Sequence, residues 1–469
     1  MSRATGIVWV AVIAFVVGGA AAGRAADVGD VHCERGAKVR VISMDETFAS
    51  GARWRFEVFR EQCEGLTFEQ LFYTPAGGVE RKVLHRASIA QIHVFYLPGS
   101  PVFFDVTHST EGLGDTNADN GNPRPPLCRD ARGNLVPNCG ENALAVPLAA
   151  AECPQGVLWD DGRVCIIKHF MSSDLAEHEG YAWKFGNTFR IAESIEVFMS
   201  SQLGAYNYIN KWTFHDDGSI EPALGLTGAL QEIRQGPGSG SAVPFGSRLD
   251  DPRVNQNPVV GISHLHNVYY RLDFDIGGAA NDAVARMSFR PLAGLGTGRG
   301  TNVLTPIVRE AAQTFSPNEY STWVVFDKVL KNADTRPIGY EVNPRITGLW
   351  RGDTDGSWDD ADVWVTRFHP CELLATNNHR PHIPRSCTAN NIPGHVGLMV
   401  GGESVDGQDV VLWYVNRLLH IPRDEDAGTF TVRPVFGPMP IEWTSFEIRP
   451  RSFFHMNPGI NATEIPSSD

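Results

Sequence analysis

The chain has 469 residues, 42% of them apolar and 20% charged, and its net charge is −14. That composition is globular, and the length allows two or three average domains or one large β domain. The acidic balance, with no run of Lys/Arg, excludes a nucleic-acid binder of the basic-patch kind and gives a mild attraction for cations.

At the N-terminus, Arg3 precedes the apolar run Ile7–Val17 and the small residues Gly18–Gly23. The run is shorter than the ~20 residues that span a bilayer, so residues 1–26 read as a signal peptide cleaved near Ala25 or Ala26. A retained anchor is the alternative. Cleavage would remove Arg3 and Arg24, take the charge to −16, and leave residues 27–469 as one domain, secreted or periplasmic, with no membrane segment. Eight cysteines fit that compartment. Proximity favours Cys33–Cys63 and Cys371–Cys387, with Cys128, Cys139, Cys153 and Cys165 pairing among themselves.

Short alternating runs at Lys38–Ser43, Arg53–Arg60 and Leu66–Tyr73 read as strands, followed by a turn at Pro75–Gly78. A polar segment, Thr107–Asn142, reads as an irregular excursion. Strand-like runs resume at Arg163–His169, Arg190–Met199, Tyr206–His215, Ile262–Phe274, Ser321–Lys331, Asp362–His369 and Val410–Val415. The most helix-like segment is Val303–Thr314. The fold class expected is all-β: a large antiparallel β-sandwich with few helices.

His264 and His266 are two apart in a strand-like run, so both side chains project from one face, as a metal clamp requires. Asp273 and Asp275 continue that run, and Asp409 precedes a second run that leads to His420. If the two runs are neighbours, three imidazoles converge at one end and three carboxylates at the other. Imidazoles suit copper or zinc, and carboxylate oxygens suit calcium or manganese.

With Gly204–Ala205–Tyr206–Asn207–Tyr208, the following Trp212, Asp217–Gly218–Ser219–Ile220 and Thr227–Gly228, these segments resemble the copper-containing amine oxidases. So do Val83–Ile89, Gly180–Lys184, His420–Arg423 with Glu425–Asp426, and the ending Phe453–Phe454 with Asn457–Pro458. The likeness covers roughly residues 38–459. It implies copper on His264, His266 and His420, and topaquinone formed from Tyr206. Tyr96 would hold the quinone oxygen. A calcium-like ion, calcium or manganese, would lie at Asp273, Phe274, Asp275, Asp409 and Val410. The implied reaction takes a primary amine and O2 to aldehyde, ammonia and hydrogen peroxide, in a homodimer. Asp105 is the expected proton-abstracting base, with His108 the alternative. Ala205, Asn207 and Gln202 stand where the family has Asn, Asp/Glu and Thr; a relative that binds copper without forming quinone is therefore the second reading, and a three-histidine zinc hydrolase or lyase the third. The family's small N-terminal domains are not expected here. The Thr107–Asn142 loop, pinned by Cys128 and Cys139, is expected to wall the entrance instead and to admit aromatic or long-chain amines.

Overall fold

The computed structural model describes residues 38–61, 63–97, 102–106, 113–114, 128–129, 135–136, 143–170, 181–185, 188–191, 193–203, 206–228, 230, 232–234, 245–249, 259–292, 300–345, 348–352, 359–376, 393–426 and 439–455. The expected leader, His108, Ala205 and nearly all of Thr107–Asn142 lie outside them, as do Cys33, Cys139 and Cys387.

β-branched and aromatic residues in period-two alternation build two large antiparallel sheets, one of nine strands and one of twelve. The nine-stranded sheet opens with Lys38–Thr47, Arg53–Glu61, Gly65–Thr74 and Arg81–Tyr96, each paired with the next. Beside the last of these lie His264–Phe274, Val410–His420 and Val363–Arg367, in that order. The twelve-stranded sheet contains the neighbours Glu193–Leu203, Tyr206–His215 and Ile220–Gly228. The last two are joined by a turn in which Gly218 takes φ +87°. A Cβ there would lie 2.9 Å from the Tyr73 ring, so both conformation and space call for glycine.

Aromatic side chains from both sheets form one core. Phe68 packs 5.1 Å from Trp212, Trp212 lies 5.9 Å from Tyr270, and Phe56 stacks on Phe214 at 4.4 Å. Hydrogen bonds also cross between the sheets, among them those that the Trp54 indole donates to the His215 carbonyl and the Tyr73 hydroxyl to that of Asp216.

The expected strands form, and several run longer than expected. Arg190–Met199 is divided between Thr188–Ile191 and Glu193–Leu203. Val303–Thr314 is not a helix. Its first half belongs to Gly300–Ile307, an edge strand paired with Asp282–Pro291, and Ala311–Gln313 pairs with Val363–Arg367. Pro306 explains the outcome, since it lacks the amide a helix interior needs yet is tolerated at a sheet edge. Cys153 and Cys165 are disulfide-bonded, within the expected group of four. Cys63 and Cys371 are also in disulfides. No helix of the described residues is long and apolar enough to cross a membrane.

Candidate metal and redox site

One ladder orders the site. His264–Phe274 and Val410–His420 pair antiparallel with His264 opposite His420 and Phe274 opposite Val410. The histidines thus gather at one end and Asp273, Asp275 and Asp409 at the other, roughly 30 Å apart at about 3.4 Å per residue. On its other side His264 faces Tyr96, whose ring stacks on the imidazole at 4.4 Å and 17°. His264 lies 4.8 Å from His266 and 5.0 Å from His420, ring centre to ring centre.

The opposite sheet supplies the tyrosines. Tyr206–His215 alternates buried and half-buried positions, so Tyr206 and Tyr208 both face the histidines. The Tyr206 hydroxyl lies 3.0 Å from His264 Nε2 and 3.2 Å from His420 Nδ1. Asp105 follows the short strand Val102–Phe104, its amide donating to the Ile92 carbonyl. The Tyr208 hydroxyl donates to Asp105 Oδ2 at 2.5 Å and lies 3.4 Å from His266 Nδ1.

These contacts fix which nitrogens are bare. His264 Nδ1 is 3.0 Å from the Ile262 carbonyl, which takes its proton and leaves Nε2 free. His420 Nε2 donates to Asp426 Oδ2 at 2.9 Å, which leaves Nδ1 free. His266 Nε2 is buried without a hydrogen-bond partner. Three bare nitrogens from neutral imidazoles, two of them oriented by an outer oxygen, fit a copper ion. Burial, with His420 adding to it, pushes His264 down to about 3 against the pull of the Ile262 carbonyl. Burial takes His266 well below its ordinary value. Both stay neutral and able to ligate. Burial raises the Tyr206 phenol well above its ordinary value, and Tyr96, Glu442, Asp426 and Asp105 push it the same way. Burial also lifts Asp105 to about 7, the Tyr208 hydrogen bond opposing it.

At the other end, oxygens of Asp273, Asp275 and Asp409 come within 4.8 Å of one another. Lys82 Nζ is 2.5 Å from Asp275 Oδ2, and Arg271 Nη1 is 3.1 Å from Asp273 Oδ2. The Oδ1 atom of each of the three aspartates is buried with no hydrogen-bond partner. Burial raises Asp273, and burial followed by Asp273 and Asp275 lifts Asp409 to about 7. Such oxygens fit a hard cation.

The structure therefore brings together every copper-site residue expected from the sequence, with Asp105 and Tyr96 beside them. It also adds residues that were not singled out. Tyr208 lay inside the quoted motif, and its spacing of two from Tyr206 already placed both on one face. Asp426 likewise lay inside the quoted segment that follows His420, whereas Lys82 had no signal of that kind. A second group, Glu310, His369 and Glu403, could also hold an ion, but both oxygens of Glu310 already accept backbone amides, from Arg367, Gly401 and Glu403.

The family model for the copper amine oxidase enzyme domain matches residues 163–468. The chain is 24% identical to the copper-containing amine oxidase gamma 2 of Arabidopsis thaliana, over 89% of this chain and 59% of that protein. It is 26% identical to a primary amine oxidase of an Arthrobacter species, over 89% and 60%. A copper-containing benzylamine oxidase from Hansenula polymorpha has the same fold, with a TM-score of 0.62 at 18% identity, covering 88% of this chain and 62% of that one. The chain thus spans about three fifths of the length of these relatives.

Proposed function

The chain belongs to the copper amine oxidase family, and from that premise we propose that it oxidises a primary amine with O2 and water to an aldehyde, ammonia and hydrogen peroxide. The observation that carries this reading is the Tyr206 hydroxyl between two bare imidazole nitrogens, at 3.0 and 3.2 Å. His264, His266 and His420 would hold copper. With O2, that ion would supply the redox chemistry that turns the Tyr206 ring into topaquinone, the electrophile and electron sink for the amine.

The chain's own residues do the rest. Asp105, buried and lifted to about 7, is poised to take the proton from the substrate's α-carbon near neutral pH. Tyr208 holds that carboxylate in place from the strand that carries Tyr206. Asp426 and the Ile262 carbonyl fix the imidazole tautomers. Tyr96, stacked on His264, limits how that ring can turn. Asp273, Asp275 and Asp409, with the carbonyls of Phe274 and Val410, would hold a calcium-like ion that ties the two strands at their far end. Residues 1–26 support export, and the family supports a homodimer.

Metal-free protein given Cu²⁺ and O2 should develop a visible quinone band and a phenylhydrazine adduct, and Tyr206→Phe should bind copper yet show neither. A wild-type chain that binds copper and stays colourless would replace this reading with the copper-binding relative that forms no quinone. Zinc in place of copper would replace it with the hydrolase.

A further inference from the structure

Tyr206–His215 and His264–Phe274 face each other across the sandwich in step. Tyr206 reaches His264 at 3.0 Å, Tyr208 reaches His266 at 3.4 Å, and the Trp212 ring lies 5.9 Å from that of Tyr270. Asn210 sits between Tyr208 and Trp212 on the same buried face, so it stands opposite Val268, whose neighbour in the sheet is Asn416. Tyr206 also touches His420, the neighbour of His264, at 3.2 Å. Its strand therefore runs above the seam between the two histidine strands, which puts Asn210 over the Val268–Asn416 pair.

Both carboxamides are buried and incompletely bonded. The Trp212 indole donates to Asn210 Oδ1 at 3.0 Å; an indole can only donate, so Nδ2 is the atom left over, and it has no partner. Asn416 Oδ1 and Nδ2 have none either, nor has the buried hydroxyl of Tyr270, which follows Val268 on the same face. Carboxamides and a phenol are neutral, so no ion is called for. They lack a small molecule that donates and accepts at once. A direct bond from Asn210 to Asn416 Oδ1 would still leave Asn416 Nδ2 bare. Water answers both, since a buried water makes about three hydrogen bonds to groups otherwise unsatisfied.

We propose that Asn210 and Asn416 hold ordered water inside the sandwich and, resting on the reading of Asp105 as the base, that this water is the first outlet for the proton Asp105 takes up. Asn210 follows Tyr208 by two residues, about 6.8 Å along the strand, a gap that water spans. The Tyr208 hydroxyl is bonded to Asp105. Once the carboxyl holds the substrate's proton, it gives a proton to the Tyr208 oxygen while the Tyr208 hydroxyl gives its own to the water. Carboxylate and phenol are restored, the excess proton sits on the water, and no bond to carbon changes.

The test begins with a high-resolution crystal structure of the copper-loaded full-length protein. Water should lie within hydrogen-bond distance of Asn210 Nδ2 and Asn416 Oδ1. The two carboxamides bonded directly, with no water at either, would overturn the site and the outlet together. Asn416→Leu, close in volume and unable to bond, should keep native circular dichroism, copper content and quinone band, and lose the water. Its kcat should fall severalfold with a larger solvent deuterium isotope effect, while kcat/KM, which reports the steps up to proton abstraction, stays within about twofold. Asn416→Ser, which makes room for water in place of the amide, should recover kcat. Equal falls in kcat and kcat/KM would assign Asn416 to the packing of the base and overturn the outlet. An unchanged kcat in Asn416→Leu would overturn the outlet and leave the water site. Normal turnover in Asp105→Asn would remove the base and the outlet with it, the water in wild type standing by itself.

Discussion

The Tyr208 hydroxyl sets how the Asp105 carboxylate titrates. Desolvation favours the neutral acid and lifts it from 3.8 to about 7, while the phenol hydrogen bond favours the carboxylate. A base must be ionised to act, so kcat/KM should rise with pH through a limb near 7. Removing the hydrogen bond in Tyr208→Phe takes away about 1.5–3 kcal/mol of stabilisation of the charged form. The limb should then move up by roughly one to two pH units, with kcat reduced at neutral pH and little changed well above it. An unmoved limb in Tyr208→Phe would separate the phenol from the base. Stability responds in the opposite sense. The folded protein holds a proton on Asp105 that the unfolded chain has lost between about pH 4 and 7, so this contribution is present below pH 4 and disappears as pH rises through 7. In metal-free Asp105→Asn that fall should be shallower than in wild type, as urea unfolding at several pH values would show. The same variant should form quinone yet stall before the amine is oxidised.

Elements rather than single residues determine whether these groups meet. Period-two spacing was enough to place His264 with His266 and Tyr206 with Tyr208, because side chains alternate along any strand. It also supported the pairing of the two histidine strands, since Asp273 lies nine residues after His264 and Asp409 eleven before His420. What alternation could not give was the partner across the sandwich. Asp105 reaches Tyr208 only through strand order and facing, which no local pattern encodes. Pro306 illustrates the reverse failure, a local signal against helix that was outweighed by apparent periodicity. The facing itself rests on the aromatic layer, in which Trp212 is fully buried between Phe68 and Tyr270, with its indole donating to Asn210. Trp212 shares a strand and a face with Tyr206 and Tyr208. Trp212→Ala should cost about 3–5 kcal/mol of stability by denaturant unfolding, and copper affinity should fall as the tyrosine face loosens. A loss below about 1 kcal/mol would mean the two sheets are held mainly elsewhere.

At the scale of the whole molecule, the site lies between two sheets in a chain of net charge −14, and bound copper would not reverse that sign. The field at the tyrosine is negative locally too: Glu442, Asp426 and Asp105 all raise the Tyr206 phenol, with Arg423 at the surface near the first two. A protonated amine approaching from solvent is drawn down this potential, and the capture step should show it. Screening shortens the reach of the field from about 30 Å at 0.01 M salt to about 3 Å at 1 M. Accordingly kcat/KM for a monoamine should fall severalfold between those limits, while kcat, measured with the site already full, should change little. A diamine carries twice the charge, so the slope of log kcat/KM for it should be about twice as steep. The comparison of slopes separates attraction by the field from a general effect of salt on folding, which would lower both substrates alike and take kcat with them. Equal slopes, or a rise with salt, would show that capture does not depend on the acidic surface and that access is limited by the shape of the entrance.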